Sequence, residues 1–310
     1  MSAASDEEEK AADSDTMVCC ACCGKAEVDD VKLKKCGGCN LVKYCSVECQ
    51  KNHRPQHKKT CQKRMTEIRD DNLFTQPDGS CHGECPICCL PLPLDMRKWG
   101  INSCCCKALC NGCAYANQKR EIEQGMEQRC PYCRELLPNV NEEHEKNYMK
   151  RVKVNDPVAI CQVGKTRYRE GDYEEAFEYF KKASELGDME AHYNLSFLYR
   201  NGEGVEKDLK RQLYHLEEAA IGGYPDARYN LGSYEDRNGR INRAMKHFII
   251  AANLGDTGAL ETVKSGFAQG IVSKEDYEAA LRGHQAAVDA TKSTQRDAAN
   301  EYYKLQNKEY

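Results

Sequence analysis

The residues best suited to chemistry in this sequence are its cysteines, of which there are 21 in 310 residues. Twenty of them lie between Cys19 and Cys133, and most fall in pairs separated by two or three residues. Such pairs are typical of structural zinc sites, because a tight turn or one helical turn brings both sulfurs to one ion. The start of the chain has no apolar stretch behind a positive residue, so we predict no secretory signal. A reducing compartment and an odd cysteine count both favour metal over disulfides.

The first array, before residue 65, contains four pairs of metal-ligand type. Eight cysteine and histidine ligands suit two tetrahedral Zn²⁺ ions, which favour thiolate and imidazole. We expect a short helix carrying the third pair, a break near Pro55, and a second turn carrying the fourth pair. The pairs are Cys20-x2-Cys23, Cys36-x2-Cys39, Cys45-x3-Cys49 and His57-x3-Cys61.

The first pair has a competing register one residue earlier, at Cys19 and Cys22. We prefer Cys20 and Cys23 because Gly24 follows them. Glycine at that position lets the backbone turn so that its N–H groups approach a thiolate sulfur.

The second array lies between Cys85 and Cys133 and has three clear pairs: Cys85-x2-Cys88, Cys110-x2-Cys113 and Cys130-x2-Cys133. A fourth pair must come from Cys104, Cys105 and Cys106. Adjacent side chains point apart, so Cys104 and Cys106 have the better spacing, yet Cys105 fits if the turn is tight. All three stay candidates, and eight ligands again predict two Zn²⁺ ions.

The order C-x2-C, C-x2-C, Y-C-S-x2-C-Q and H-K-x2-C, within residues 19–64, resembles the MYND zinc finger. The resemblance implies interleaved pairs, with Cys20, Cys23, Cys45 and Cys49 at one zinc and Cys36, Cys39, His57 and Cys61 at the other. MYND fingers typically bind short proline-containing peptides. The family usually has tryptophan where this chain has Arg54, a departure that bears on the peptide preference and not on the metal.

Residues 81–137 resemble a RING-type finger in which cysteine replaces the usual histidine. RING ubiquitin ligases use an apolar residue in the first C-x2-C and a proline in the last to dock a ubiquitin-conjugating enzyme. A cation just past the final cysteine then contacts both ubiquitin and that enzyme. The matching residues here are Ile87, Pro131 and Arg134. The resemblance implies catalysis by positioning a reactive thioester, without a nucleophile of the finger's own.

The remainder of the chain has an internal repeat, with spacings of 32, 36 and 32 residues. Small alanines at equivalent positions let paired helices approach closely, and tyrosines recurring in phase favour packing roles. The pattern A-x-x-x-L-G-x-x-Y … G-E-G-V-x-x-D … A-A-x-x-G resembles Sel-one-like repeats, relatives of tetratricopeptide repeats, over residues 157–285. Such repeats stack into a superhelix that binds partner proteins. The equivalent alanines are Ala159, Ala191, Ala227 and Ala259, and the glycines predicted to end the second helices are Gly187, Gly223 and Gly255.

The predicted fold class is therefore small zinc-stabilised fingers followed by an all-α helical repeat, or α-solenoid. We expect a disordered acidic segment at residues 1–18, a charged linker helix at 138–156 that ends before Pro157, and a polar tail at 286–310. A mean hydropathy of -0.77 and the lack of a long apolar run predict a soluble, intracellular protein, cytoplasmic or nuclear, without a membrane partner.

Two functional classes follow from this order of segments. The first is a zinc-binding interaction scaffold, compatible with a RING-type ubiquitin ligase whose repeats recruit substrate proteins. The alternative is a MYND-mediated transcriptional or nucleic-acid-associated adaptor without enzymatic activity, since residues 31–65 hold ten Lys or Arg against Glu48 alone. A net charge of -4 and the lack of an aromatic series for base stacking argue against nucleic acid. Filled four-ligand sites argue against a hydrolytic zinc enzyme.

Overall fold

The structure is a computed structural model that describes residues 19–28 and 32–306. The acidic segment expected at 1–18 and the last four residues of the expected polar tail lie outside the described residues. The chain divides into two compact units, and the boundary along the sequence lies between Asn72 and Leu73. The second finger and the helical repeats therefore share one unit.

The first unit is built around the first cysteine array. Two short antiparallel strands, β1 (Lys34–Lys35) and β2 (Lys43–Tyr44), pair with Lys34 opposite Tyr44. They precede helix α1 (Val47–Phe74), whose last two residues belong to the second unit. The core of this unit consists mainly of buried cysteines, together with Leu33 and Tyr44.

Helix α1 continues through Pro55, so the break expected there is wrong. Proline removes one backbone N–H and leaves the carbonyl of Lys51, one turn earlier, without its helical donor. Lys51 and Pro55 both lie on an exposed stretch of the helix, where water can hydrogen-bond the freed carbonyl. Cys49 and Cys61 lie on either side of Pro55 and belong to two different ligand clusters, which hold both halves of the helix in place.

The second finger, at the start of the second unit, has its own small core. A hairpin of β3 (Trp99–Asn102) and β4 (Lys107–Cys110) pairs Trp99 with Cys110, and β4 leads directly into helix α2 (Asn111–Glu123). A 3-10 helix at Met96–Lys98 precedes the hairpin. Leu92 and Leu109 are buried among the finger's cysteines.

The repeat region consists of helical hairpins, as the sequence predicts. The repeat alanines are fully buried at the helix contacts, and Gly187, Gly223 and Gly255 follow the second helices with positive φ. Glycine adopts this left-handed conformation without steric cost, which ends each helix cleanly. The helices are α4 (Pro157–Glu170), α5 (Tyr173–Glu185), α6 (Met189–Asn201), α7 (Leu209–Ile221), α8 (Pro225–Arg237), α9 (Ile241–Asn253), α10 (Thr257–Ala268) and α11 (Lys274–Ala290).

Close helix approach within the hairpins depends on two glycines as well as on the alanines. A Cβ at Gly164 would lie 2.8 Å from the ring of Phe180, and a Cβ at Gly232 would lie 2.8 Å from the ring of Phe248. Both rings are almost fully buried. Each aromatic ring therefore packs against bare backbone of the partner helix.

Two further helices connect the repeats to the second finger. Helix α3 (Asn141–Val152) lies within the predicted linker and packs on α4, and Pro157 is the first residue of α4, with Asp156 as its N-cap. Helix α12 (Thr294–Gln306) forms most of the predicted polar tail and packs on α2. Within the described residues, no helix is both long enough and apolar enough to cross a membrane.

Candidate metal centres

The ligand residues of the first finger converge into two groups, which we name cluster 1 and cluster 2. Cluster 1 consists of Cys20, Cys23, Cys45 and Cys49, and cluster 2 of Cys36, Cys39, His57 and Cys61. This is the interleaved grouping that the MYND resemblance implies. Cys19 and Cys22, the competing register, are both exposed and belong to neither group.

The ligand residues of the second finger also form two groups. Cluster 3 consists of Cys85, Cys88, Cys110 and Cys113, and cluster 4 of Cys104, Cys105, Cys130 and Cys133. Pairs alternate between the two groups along the chain, so the finger is cross-braced in the same manner as the first.

Distances between the ligand atoms fit zinc. Four sulfurs around a tetrahedral ion with Zn–S bonds of about 2.3 Å lie about 3.8 Å apart. The Sγ–Sγ distance is 3.6 Å for Cys23–Cys45, 3.8 Å for Cys36–Cys61, 3.8 Å for Cys88–Cys110 and 3.8 Å for Cys105–Cys130. These separations are far longer than a disulfide bond, and every cysteine is a free thiol. The donor set therefore suits zinc at each cluster.

A recurring backbone turn positions four of the five C-x2-C pairs, whereas the fifth, Cys110 and Cys113, lies at the start of α2. In all four turns the residue after the second cysteine donates its N–H to the carbonyl of the first cysteine and adopts a positive φ. The four donors are Gly24 (2.9 Å to Cys20), Asn40 (3.0 Å to Cys36), Cys89 (2.8 Å to Cys85) and Arg134 (2.9 Å to Cys130). Gly24 therefore makes the turn that the sequence suggested, although its own N–H donates to a carbonyl and not to a sulfur. The Asn, Cys and Arg that share this conformation show that the turn, and not the residue type, determines it.

The same turn explains why Cys106 belongs to no cluster. Cys106 donates its N–H to the carbonyl of Asn102 at 2.8 Å and has φ of 55°. It occupies the left-handed position that follows the second ligand, so its side chain leaves the metal side of the turn and Cys105 takes the ligand place. The Cys106 thiol instead lies beside Arg151, and burial raises its pKa to about 12. The spacing argument that favoured Cys104 with Cys106 is therefore wrong: the tight-turn alternative places Cys104 with Cys105.

The side chain of Asn102 takes the place of a cysteine in this turn. Its Nδ2 donates to the Sγ of Cys130 at 3.1 Å, across to the neighbouring pair of cluster 4. Sequence reasoning missed Asn102. The signal was its position three residues before Cys105, which is the C-x2-C spacing with asparagine first.

One buried thiol in each cluster is prepared for the thiolate form. At Cys20, Cys36 and Cys130 burial is the largest single effect and raises the pKa of the thiol. Several hydrogen bonds to each sulfur, mainly from backbone N–H groups, together outweigh burial. The pKa values therefore fall to about 6 for Cys20, about 6 for Cys36 and about 7 for Cys130. At Cys85 the largest effect is the hydrogen bond that the Cys110 thiol donates to its sulfur. Backbone N–H groups also donate to this sulfur, and the pKa of Cys85 falls to about 4. Thiolate is the form that binds zinc.

The three residues proposed for docking a conjugating enzyme lie on the second finger with different exposure. Ile87, inside the first turn, has 44% of its surface exposed although its neighbour Cys85 is buried. Pro131 is half-buried, and Arg134 is exposed with its guanidinium donating to the Oδ1 of Asn117 on α2 at 3.1 Å.

The repeats contain a cavity of about 580 Å³ formed by α5, α6 and α7. Aromatic rings of Phe177, Tyr199 and Tyr214 line it together with His192 and His215. Tyr199 is buried against its neighbours, in agreement with a packing role, whereas half of Tyr214 is exposed.

Comparison with known families agrees with this architecture. Residues 20–61 match the model of the MYND finger, and residues 158–188, 190–224 and 225–256 match the model of the Sel1 repeat. The chain contains a MYND finger and three Sel1 repeats. Two of the three predicted resemblances, to the MYND finger and to the Sel-one-like repeats, are thereby confirmed, and so is the fold class of cysteine-rich fingers followed by an all-α repeat domain. The resemblance of residues 81–137 to a RING-type finger stays a prediction. The hairpin of α10 and α11 continues the repeat pattern beyond the matched residues.

Several known proteins are similar to part of this chain. HcpC of Helicobacter pylori is 41% identical over 56 residues, which is 18% of this chain and 19% of that protein. DAP3-binding cell death enhancer 1 of Rattus norvegicus is 30% identical over 182 residues, covering 46% of this chain and 34% of that protein. The chain thus spans about a third or less of the length of these relatives. A Sel1 repeat protein from Oxalobacter formigenes superimposes with a TM-score of 0.41 and 24% identity, over 64% of this chain and 86% of that one.

Proposed function

We propose that this protein is a zinc-dependent interaction scaffold that works as a ubiquitin ligase in a reducing, intracellular compartment. A zinc-binding scaffold for protein interactions follows directly from the MYND finger, the thiol clusters and the Sel1 repeats. The ligase activity and the number of zinc ions are the proposed part. Its RING-like second finger would dock a ubiquitin-conjugating enzyme, and the repeats would hold the substrate protein.

The observation that carries the ligase proposal is an exposed isoleucine in the first turn of a cross-braced finger. Ile87 stands where RING ligases carry the apolar residue that docks the conjugating enzyme, and its exposure leaves it free to make that contact. Helix α2 also leaves one face open for a conjugating enzyme. Tyr115 on one side of α2 packs against Tyr302 of α12. Asn117 lies two residues further along, on the opposite side of the helix, and accepts a hydrogen bond from Arg134 there.

Zinc content tests the metal assignment. We expect about four zinc ions per chain, two in the MYND finger and two in the second finger, from the sixteen grouped ligands. Protein purified without chelator and measured by plasma mass spectrometry should approach this value. Two ions or fewer would mean that one finger does not hold a pair of metal sites.

Discharge of ubiquitin from a panel of conjugating enzymes tests the ligase assignment. Replacing Ile87 with Ala should weaken binding of the conjugating enzyme roughly ten- to a hundredfold, the amount expected for one buried isoleucine at an interface. Ile271→Ala is the matched control, because Ile271 is 40% exposed and lies in the repeat region. Equal effects of the two substitutions would contradict docking at Ile87.

Arg134 should act at a later step. Arg134→Asn removes the cation and preserves the left-handed backbone, since asparagine occupies the equivalent position at Asn40. We expect slower ubiquitin discharge with unchanged binding of the unloaded conjugating enzyme. A wild-type protein that discharges no enzyme of a broad panel would leave the second finger as an interaction module only.

A further inference from the structure

A single arginine near the C-terminus reaches cluster 3. Arg296 on α12 has only 6% of its surface exposed, and its NH2 group lies 3.4 Å from the Sγ of Cys88. The guanidinium also interacts with Cys110 of the same cluster. Its other hydrogen bonds go to the backbone carbonyls of Pro91 at 2.6 Å, Thr291 at 2.8 Å and Leu90 at 3.1 Å. Arg296 is thus a fixed part of the finger's surroundings.

The charge on Arg296 requires an anionic partner. A buried guanidinium is costly unless it is paired with negative charge. Among the ion pairs of the described residues, Arg296 has no carboxylate partner, and the acidic group within its reach is the thiolate set of cluster 3. Zinc with four thiolates carries a net charge of -2, so a cation at this distance compensates part of it.

Cys88 is the thiol of cluster 3 that reagents in solution reach most readily. Cys85, Cys110 and Cys113 are buried, whereas Cys88 is half-buried. An exposed thiolate is the nucleophile that reacts with electrophiles and the first that a competing ligand displaces. The guanidinium lies over this sulfur.

We propose that Arg296 is a positioning residue of cluster 3: it donates to the Cys88 thiolate, neutralises part of the site's charge and protects this sulfur from attack. The C-terminal helix α12 thereby becomes a functional part of the second finger's metal site. This inference rests on the proposed zinc occupancy of cluster 3.

A matched pair of variants separates this role from simple packing of α12. Gln295, the adjacent residue, also ties α12 to the finger, because its Nε2 donates to the carbonyl of Gly112 at 3.2 Å. It contacts no cluster thiol in the described hydrogen bonds. Gln295→Ala therefore removes a tie of α12 without touching the sulfur, whereas Arg296→Met removes the guanidinium and keeps the length of the side chain.

The experiment is timed labelling of the full-length zinc-loaded protein with N-ethylmaleimide, read by tandem mass spectrometry that distinguishes Cys88 from Cys89. Labelling of Cys133, the other half-buried second-finger thiol at the end of a C-x2-C pair, serves as the internal reference. We expect Arg296→Met to speed labelling of Cys88 about tenfold relative to Cys133, as for the loss of one charge-assisted hydrogen bond. Gln295→Ala should leave that ratio within about twofold of wild type.

Several outcomes decide between the assignments. If Cys88 is labelled at the same rate relative to Cys133 in zinc-loaded Arg296→Met and Gln295→Ala, the role of Arg296 is overturned and the zinc assignment stands. A wild-type second finger without zinc would overturn both. Should Arg296→Met fail to fold, Arg296→Lys replaces it: lysine keeps the charge but loses the planar fork, so its Cys88 ratio should exceed that of Gln295→Ala.

Discussion

At the scale of single residues, two histidines form a buried contact beside the repeat cavity. The Nδ1 atoms of His192 and His215 lie 3.0 Å apart, so one ring donates and the other accepts. The ring of Tyr199 stacks on His215 at 5.6 Å. Burial, followed by the neighbouring His192 and Arg211, lowers the pKa of His215 to about 4, and burial also lowers the pKa of His192.

This contact predicts a loss of stability on acidification. A histidine whose pKa is lower in the folded than in the unfolded protein is neutral when folded, so below about pH 6.5 the unfolded chain binds more protons. The free energy of unfolding should therefore fall as the pH drops from about 6.5 towards 4. Between pH 6.5 and 5 the loss from His215 is on the order of 2 kcal/mol.

Urea unfolding followed by helical circular dichroism at pH 7 and pH 5 measures this loss. His215→Phe keeps a ring against Tyr199 and removes the proton, so it should lose less stability between the two pH values than wild type. Because both proteins share any acid-driven release of zinc, their difference reports the histidine alone. Parallel pH profiles would show that the pair does not titrate in this range.

At the scale of elements, Arg228 of α8 closes the C-terminal end of α1. It is fully buried and donates to the backbone carbonyls of Leu73 and Thr75. The last carbonyls of a helix have no helical donors and carry partial negative charge, so a guanidinium satisfies both needs. Burial lowers the pKa of Arg228 to about 10, which still leaves it charged at neutral pH.

Replacing Arg228 should loosen the end of α1. Arg228→Met preserves length but leaves the buried carbonyl of Leu73 without this donor, at a cost of about 1–3 kcal/mol. We expect a lower denaturant midpoint and faster hydrogen exchange at the amide of Phe74. Arg237→Met, an exposed arginine on the same helix, is the control and should change neither measurement by much. Unchanged exchange at Phe74 in Arg228→Met would contradict the capping role.

Elements whose sequence signal is local and repeated were predictable. The alanine spacing places the hairpins, and the C-x2-C pairs place the turns. The helix break predicted at Pro55 is wrong because the ligand clusters on both sides of Pro55 hold α1 in place, which outweighs the local effect of a proline. Cys106 misled because the choice among three adjacent thiols depends on the backbone turn at Asn102, which spacing alone does not encode. Helix α12 could not be placed because its polar sequence does not identify a partner more than 180 residues earlier.

At the scale of the whole molecule, the second finger shares a unit with the repeats. Its helix α2 packs on α12, and the backbone N–H of Cys81 donates to the carbonyl of Gly223 at 3.1 Å. His82 also packs against Tyr224 and Trp99. Zinc in the second finger should therefore stabilise the repeats through these contacts.

Removing one ligand tests this coupling. Cys110→Ser should empty cluster 3 and lower the thermal midpoint of the helical signal by roughly 4–8 °C, which is about 2 kcal/mol for a unit of this size. Cys49→Ser removes a ligand of cluster 1, in the other unit, and should shift that midpoint far less. If Cys110→Ser leaves the thermal midpoint of the helical signal unchanged, the second finger folds independently of the repeats.

The 208-residue separation between Cys88 and Arg296 also sets an order of events during synthesis. Ribosomes add roughly 5–20 residues per second, so the guanidinium emerges about 10–40 s after the cysteine that it covers. The cysteines of cluster 3 have all been made by then, and they can collect an ion while the repeats are still being translated. Helix α12 is therefore translated after every ligand of cluster 3, and we expect a chain that lacks α12 to leave the Cys88 sulfur more open to oxidants.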